Sequence, residues 1–307
     1  MRLCRYEHQG STQIGFYNDD SIIPLQSAAE KAGVELPNSN CLLAYLTHGS
    51  AREAVHAIEG QINDLADTTV DANDVQLLVP VPSPTKLLLL AGNYSAHIEE
   101  GGGRAEERAK TFPYVFMKPP LTTLTHPGNP VRIPAVSPDH IDWELELGIV
   151  IGKQCKGVSE ADALNYVAGY TVVNDISDRK FRPNPNRVER DKDGFFDWLH
   201  GKWHDTFCPM GPCVLPADQQ ADPQTLKMTL KVNGELEQDA STADMIFPVA
   251  AIVEFISSFV TLEPGDIIST GTPSGVGASK GKFLKDGDTL EAYIENIGTL
   301  TNPVIGP

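Results

Sequence analysis

Hydrophobic positions in this chain recur mostly with a period of two or in short unbroken runs, and few segments show helical spacing. Leu3 to Tyr6, Gln13 to Tyr17 and Ile22 to Leu25 read as short strands, with a turn at Asn18-Asp19-Asp20 and short helices after them. Pro80-Val81-Pro82-Ser83-Pro84 can continue neither a helix nor a central strand. It predicts a small N-terminal α/β domain over residues 1–80 and a second domain over 81–307. In the second, Lys86 to Ala91, Tyr114 to Met117, Asp142 to Gly152, Ala168 to Val173 and Ile267 to Thr270 read as strands, several of them apolar enough to be buried on both faces. Leu226 to Val232 and Glu235 to Gln238 flank Asn233-Gly234 and predict a β-hairpin, and Glu291 to Leu300 closes an all-β tail. Helical spacing appears after the capping-box pattern Ser159-Glu160-Ala161-Asp162 and again from Pro248 to Val260. The fold class is α+β, predominantly β.

One strand carries charge where the pattern predicts burial. In Asp142-Trp143-Glu144-Leu145-Glu146-Leu147-Gly148, alternation points Glu144 and Glu146 the same way at one end of a central strand. Like charges about 4 Å apart repel by roughly 4 kcal/mol at an effective dielectric near 20, so a buried pair needs a proton or a cation; on a half-exposed strand the pair is simply solvated. Asn174-Asp175 ends the next predicted strand and brings a third carboxylate to the same neighbourhood. Three carboxylates without a nearby Cys or His pair suit a hard cation, Mg²⁺ or Mn²⁺ with Ca²⁺ behind them.

Other polar residues cluster in loops. His97 and Glu100 share one face of a short helical patch, as a general base and its orienting carboxylate would, or as a surface pair does. Gly101-Gly102-Gly103 after them suits a lid. Lys118 closes a strand before two prolines, placed either to snorkel or to neutralise a ligand. Residues 176–201 read as a long polar insertion. Its Arg179 to Lys192 stretch holds six basic residues against two acidic ones, and serves either an anionic substrate or solvent and a partner chain. Gly201-Lys202 follows, with Lys202 suited to stabilise an oxyanion or enolate. The glycine-rich Gly271-Thr272-Pro273-Ser274-Gly275-Val276-Gly277 lacks a P-loop lysine and is read as preceding no helix; its N–H groups and the Thr272 hydroxyl suit a carboxylate.

Charge narrows the partners. A formal net charge of −17 excludes the basic footprint that nucleic acid or an anionic membrane requires, so an anionic ligand needs a local positive site. No run approaches the ~20 apolar residues of a membrane span, and the N-terminal residues lack a signal-peptide pattern. Five scattered cysteines suit reduced thiols. A cytoplasmic enzyme or binding protein is expected.

From about Leu87 to Val304 the chain resembles the fumarylacetoacetate hydrolase superfamily. The likeness rests on Asn93-Tyr94-x-x-His97-x-x-Glu100, Phe116-x-Lys118-Pro119, Trp143-Glu144-x-Glu146-Leu147-Gly148, Gly169-Tyr170 through Asn174-Asp175, Gly201-Lys202-x-x-Asp205-Thr206-Phe207 and Thr270-Gly271-Thr272-Pro273, in that order. It implies a mixed β-sandwich roll, usually a homodimer, with Mg²⁺ or Mn²⁺ on Glu144, Glu146 and Asp175. It implies small anionic substrates, β-diketo or 2-keto acids. His97 would be the base, Glu100 its orienter and Lys202 the electrostatic stabiliser, with Lys118, Arg179 and Thr272 meeting the substrate carboxylate. The reaction expected is hydrolysis of a C–C bond in an acylpyruvate-type acid. Isomerisation, decarboxylation or dehydration of a 2-keto acid, and metal or carboxylate binding without turnover, are the alternatives. Ser177-Asp178-Arg179-Lys180 stands where members often read Ser-Ala-Arg-Asp, and Asp197-Trp198-Leu199-His200-Gly201-Lys202 where they often read Gln-Trp-x-Arg-Gly-Lys. Both departures leave the metal ligands and Lys202 in place.

Overall fold

The structure, a computed structural model, describes residues 1–37, 39–62 and 68–307. Strands predominate, most of them in two open sheets, with Ile141–Asp142 and Ser177–Asp178 forming a separate pair. The elements that position the site are β1 (Arg2–His8), β2 (Ser11–Asn18), β3 (Ser21–Pro24), α1 (Leu25–Ala32), α2 (Ser50–Glu59), β4 (Leu87–Ala91), α3 (Ser95–Glu100), β5 (Tyr114–Met117), β6 (Leu145–Ile151), β7 (Val167–Asn174), α4 (Asp193–His200), β8 (Cys208–Pro216), β9 (Lys227–Val232), β10 (Glu235–Ser241), α5 (Val249–Phe259), β11 (Ile267–Ser269), α6 (Gly277–Lys280), β12 (Thr289–Ile294) and β13 (Gly298–Ile305).

The larger sheet runs β3-β2-β1-β8-β7-β6-β11-β4-β5, with Val70–Asp71 beyond β3. β4 pairs parallel with β11 and the other pairs along this row are antiparallel, so the sheet is mixed. The second sheet runs β10-β9-β12-β13 and ends on Val131–Arg132. Odd-numbered residues of β6 (Leu145, Leu147, Ile149, Ile151) pack into one core with Met228, Leu230, Leu290 and Ile294 of the second sheet. On the opposite face Val150 and Val173 join Leu89, Phe116, Leu3 and Phe16 in another core. All seven residues of β6 are buried, as a strand covered on both faces must be.

The strands of the first 80 residues continue the larger sheet through β1, where Leu3 lies opposite Val214 of β8. An ion pair and a hydrogen bond add to this join: Arg52 of α2 pairs with Asp218, and the N-terminal amine donates to Gln219 Oε1 (2.5 Å). Among the described residues no helix is long and apolar enough to cross a membrane.

The hairpin forms as read, with Asn233 and Gly234 at φ of 53° and 79°, the positive values a type I′ turn requires. Two local readings change. Ser159 does not cap a backbone N–H; its hydroxyl donates to Asp162 Oδ2 (2.7 Å), leaving one turn of helix, Glu160–Ala163. The polar insertion contains α4, whose Phe196 and Leu199 share a face, a spacing hidden by the charged residues around it.

Gly169 shows how closely the central strands approach. A Cβ there would lie 2.4 Å from the Leu215 carbonyl of β8. Gly169→Ala is therefore expected to cost about 1–3 kcal/mol, measurable as a lower midpoint in chemical denaturation.

Candidate metal centre

β6 and β7 run antiparallel with Glu146 opposite Val173 and Leu145 opposite Asn174. Glu144 sits just before β6 and is tied to the end of β7 twice: its N–H donates to Asn174 Oδ1 (2.9 Å), and its carbonyl accepts from Asp175 N–H (2.8 Å). One carboxylate oxygen from each of Glu144, Glu146 and Asp175 lies within 4.8 Å of the other two. All three residues are buried.

The three carboxylates are not treated alike. Glu144 Oε2 accepts from Lys202 Nζ (2.9 Å), and its Oε1 faces Ser177 Oγ (2.9 Å) and Arg179 Nη2 (2.8 Å). Burial raises the pKa of this carboxyl, but Lys202 and then Arg179 and His97 outweigh burial and hold it well below the usual carboxylate range. Asp175 pairs with Lys202 through Oδ2 (2.5 Å) and with Lys118 through Oδ1 (2.5 Å). Glu146 has no cation of its own. Its Oε2 accepts from Ser269 Oγ (2.5 Å) and Gly271 N–H (2.9 Å), and its Oε1 is buried without a hydrogen-bond donor. Burial, then the charges of Asp175 and Glu144, push the Glu146 carboxyl well up. An orphaned buried oxygen beside two other carboxylates fits a divalent cation, and an all-oxygen donor set fits a hard one.

The glycine-rich loop contributes N–H groups. Gly271 N–H holds Glu146, Gly275 N–H donates to Glu100 Oε2 (2.9 Å), and Gly277 and Ala278 N–H hold Asp142 (2.7 and 3.0 Å). The loop does precede a helix, the single turn α6, and the anion at its start is the protein's own Asp142. Glu100 Oε1 meets His97 Nδ1 at 2.8 Å, so one carboxylate joins α3 to the loop and orients the imidazole. Because the carboxylate accepts, Nδ1 carries the proton and Nε2 is left as the basic nitrogen.

Lys118, expected to meet substrate, is directed elsewhere. It donates to Ile176 O (2.8 Å) and Phe207 O (2.5 Å) and forms an ion pair with Asp175. Lys202 directs two protons to carboxylates and keeps the third. Thr272 is buried with its hydroxyl oxygen accepting from Gln238 Nε2 (2.9 Å). Arg179 spans Asp142 and Glu144. The remaining arginines of the basic stretch pair away from the centre: Arg182 with Glu189, Arg187 with Asp193 and Asp197, and Arg190 with Asp193.

Three residues with no assigned role in the sequence reading hold the centre together. Asp142 accepts from Arg179 Nε (2.7 Å) as well as from the loop. Gln238 joins Leu145 N–H to Thr272 and the Pro273 carbonyl. Asn93 bonds Thr270 O, Phe247 O and Phe247 N–H. Asn93 stands in one of the quoted motifs, Asp142 one residue before another; nothing local signals Gln238.

Burial and the charges of Asp175 and Glu144 raise the Glu146 carboxyl, so a divalent cation competes with a proton there. Mn²⁺ affinity is therefore expected to rise with pH, by up to about tenfold per pH unit while that proton is held, in calorimetric titrations at several pH values. Glu146→Gln should lower the affinity by more than about 10-fold and flatten the pH dependence. At Gly275 the φ is +100° and a Cβ would lie 2.1 Å from the Glu237 carbonyl. Gly275→Ala is expected to displace the N–H that holds Glu100, measurable as faster amide exchange across residues 95–103.

The sequence profile described as fumarylacetoacetate (FAA) hydrolase C-terminal matches residues 86–305. The chain is 37% identical over 302 residues to the 2,4-didehydro-3-deoxy-L-rhamnonate hydrolase of Sphingomonas sp. (strain SKA58), covering 97% of this chain and 94% of that one. It is 36% identical over 313 residues to the oxaloacetate tautomerase YisK of Bacillus subtilis (strain 168), covering 99% and 100%. Among solved structures, the maleylpyruvate hydrolase from Sphingobium sp. SYK-6 in complex with manganese (II) ion and pyruvate matches with a TM-score of 0.74 at 30% identity, over 100% of this chain and 99% of that one. With most of its length matched by the family profile and relatives similar along nearly the whole chain, the protein belongs to the fumarylacetoacetate hydrolase family.

Proposed function

We propose that the protein hydrolyses a C–C bond in a small β-diketo acid of the acylpyruvate type, with Glu144, Glu146 and Asp175 holding Mg²⁺ or Mn²⁺. A divalent cation bound there supplies Lewis-acid polarisation of the substrate's oxygens. The observation that carries the reading is the two-ended Glu100 contact, which turns His97 Nδ1 toward Glu100 and supports a role for Nε2 as the base.

In this reading His97 Nε2 takes a proton from water as its oxygen attacks the distal carbonyl. The C–C bond breaks with its electron pair leaving on the carbon between the carbonyls, as an enolate, and that carbon later takes a proton. The third proton of Lys202 faces the developing negative charge, and Lys118 acts through Asp175. Three cations (Lys118, Lys202 and Arg179) oppose four carboxylates (Asp142, Glu144, Glu146 and Asp175). A divalent cation turns that balance positive, which answers how a strongly acidic chain receives an anionic substrate. The hydrolase from Sphingomonas, similar over nearly the whole chain, supports the same reading.

A second reading is keto–enol tautomerisation or isomerisation of a 2-keto acid. It needs only the proton transfer that His97 provides, and the tautomerase from Bacillus subtilis is similar along the full length.

One experiment separates the two. Wild-type protein with Mn²⁺ is incubated with acylpyruvates and with oxaloacetate, and products are followed by NMR in deuterated buffer. Hydrolysis yields two acids. Deuterium uptake at the carbon between the carbonyls without cleavage gives the tautomerase, and no change in any substrate rejects both. In either reaction His97→Ala should lower kcat by about 10²-fold or more while Mn²⁺ affinity stays at the wild-type value.

A further inference from the structure

β10 loses its alternation where it passes behind the glycine-rich loop. Leu230 of β9 pairs with Gln238 and Lys231 with Leu236, so Glu237 is one residue too many and the strand bulges there. As a result two adjacent polar side chains, Glu237 and Gln238, are both buried. Glu237 accepts from Lys280 Nζ (2.6 Å) and Lys282 Nζ (2.9 Å), just past the end of the loop. Gln238 meets the start of it, at Thr272 and Pro273.

The partners of Gln238 fix which way round its amide lies. Leu145 N–H can only donate, so the atom it meets at 2.9 Å is Oε1; the Pro273 carbonyl can only accept, so the atom 2.8 Å from it is Nε2. Nε2 lies 2.9 Å from Thr272 Oγ1 as well, and having no lone pair to offer it must donate its second proton there. The Thr272 hydroxyl is thereby an acceptor toward the protein, and its own proton points elsewhere. Thr272 is only 2% exposed, yet among the described residues no acceptor receives that proton. Burying a donor without an acceptor is costly, so the proton is aimed at something the site takes in.

We propose that Gln238 is a positioning residue, which makes Thr272 a dedicated hydrogen-bond donor to a carboxylate oxygen of the substrate. This rests on the reading of the substrate as a small keto acid. Glutamine does what neither a glutamate nor an apolar residue at 238 could: it occupies the lone-pair side of the hydroxyl, so the proton cannot turn back into the protein. The bulge supplies the aim, because regular pairing would bury only one of the two neighbours.

Pyruvate binding to the Mn²⁺-loaded chain, followed by calorimetry in the wild type, Gln238→Glu, Thr272→Val and the double variant, tests the assignment. Gln238→Glu puts an acceptor where the amide donated and draws the hydroxyl proton to itself; pyruvate affinity should fall about 10-fold or more. Thr272→Val should cost a similar factor. Added to Gln238→Glu it should cost less than about twofold more, because the proton is already withdrawn, and Mn²⁺ should bind no more weakly than to the wild type in any variant. A general loosening of the loop, which also holds Glu146, would instead weaken Mn²⁺ binding. Wild-type pyruvate affinity in Gln238→Glu, additive losses in the double variant, or weakened Mn²⁺ binding overturns the proposal. Should Gln238→Glu misfold, the neutral Gln238→Met decides, since it too removes the donor; unchanged pyruvate affinity there rejects the role. A wild-type chain that binds Mn²⁺ but no pyruvate overturns the keto-acid reading itself, and the assignment of Gln238 with it.

Discussion

Asp142, Glu144, Glu146 and Asp175 are buried within one patch, and negative charge at that density must be answered locally. Lys118 and Lys202 answer Asp175, Lys202 and Arg179 answer Glu144, and Arg179 with two main-chain N–H groups answers Asp142. Glu146 alone receives only a hydroxyl and an N–H. The uneven distribution leaves one carboxylate in need of a proton or a cation, and it places that need at the end of a strand that cannot move without opening both cores.

The glycine-rich loop is the second half of that solution. In many proteins such a loop cradles a phosphate; here its N–H groups receive carboxylates of the protein itself. Gly271, Gly275 and Gly277 each hold a different acidic residue, and those residues come from β6, α3 and the short strand Ile141–Asp142. The loop therefore sets the spacing between the carboxylate cluster and His97. Glu100 makes orientation of the imidazole and docking of α3 a single contact.

Division of labour among the cations follows from the acceptors each one meets. Lys118 donates to the main-chain carbonyls of Ile176 and Phe207, while Lys202 donates to the carboxylates of Glu144 and Asp175. Two lysines that look equivalent as charges thus differ in what they hold: Lys118 ties two separate segments together and Lys202 bridges two carboxylates. The arginines beyond Arg179 are matched by Glu189, Asp193 and Asp197, so the basic stretch stabilises its own conformation and α4 instead of projecting charge.

Several parts of this arrangement were legible in the sequence because they rest on local rules. Alternation put Glu144 and Glu146 on one side, the apolar run after them required burial on both faces, and Asn233-Gly234 required the positive φ values observed. Ordered short motifs pointed to the family, and the family profile and relatives agree. Other features depended on residues far apart in the chain. Gln238 reaches Thr272 across 34 positions and Glu100 reaches Gly275 across 175, and no periodicity carries such pairings. The role of Lys118 also belongs to tertiary structure, because its composition and position permit either a ligand contact or a buried pair. Only the carbonyls of Ile176 and Phe207, brought together by the packing of separate segments, decide between them. Sequence alone determined which strands are buried and which carboxylates share a face, since both follow from neighbours in the chain. Tertiary structure decided how each buried charge is neutralised, since that depends on which distant donors the folded sheets bring within hydrogen-bonding distance.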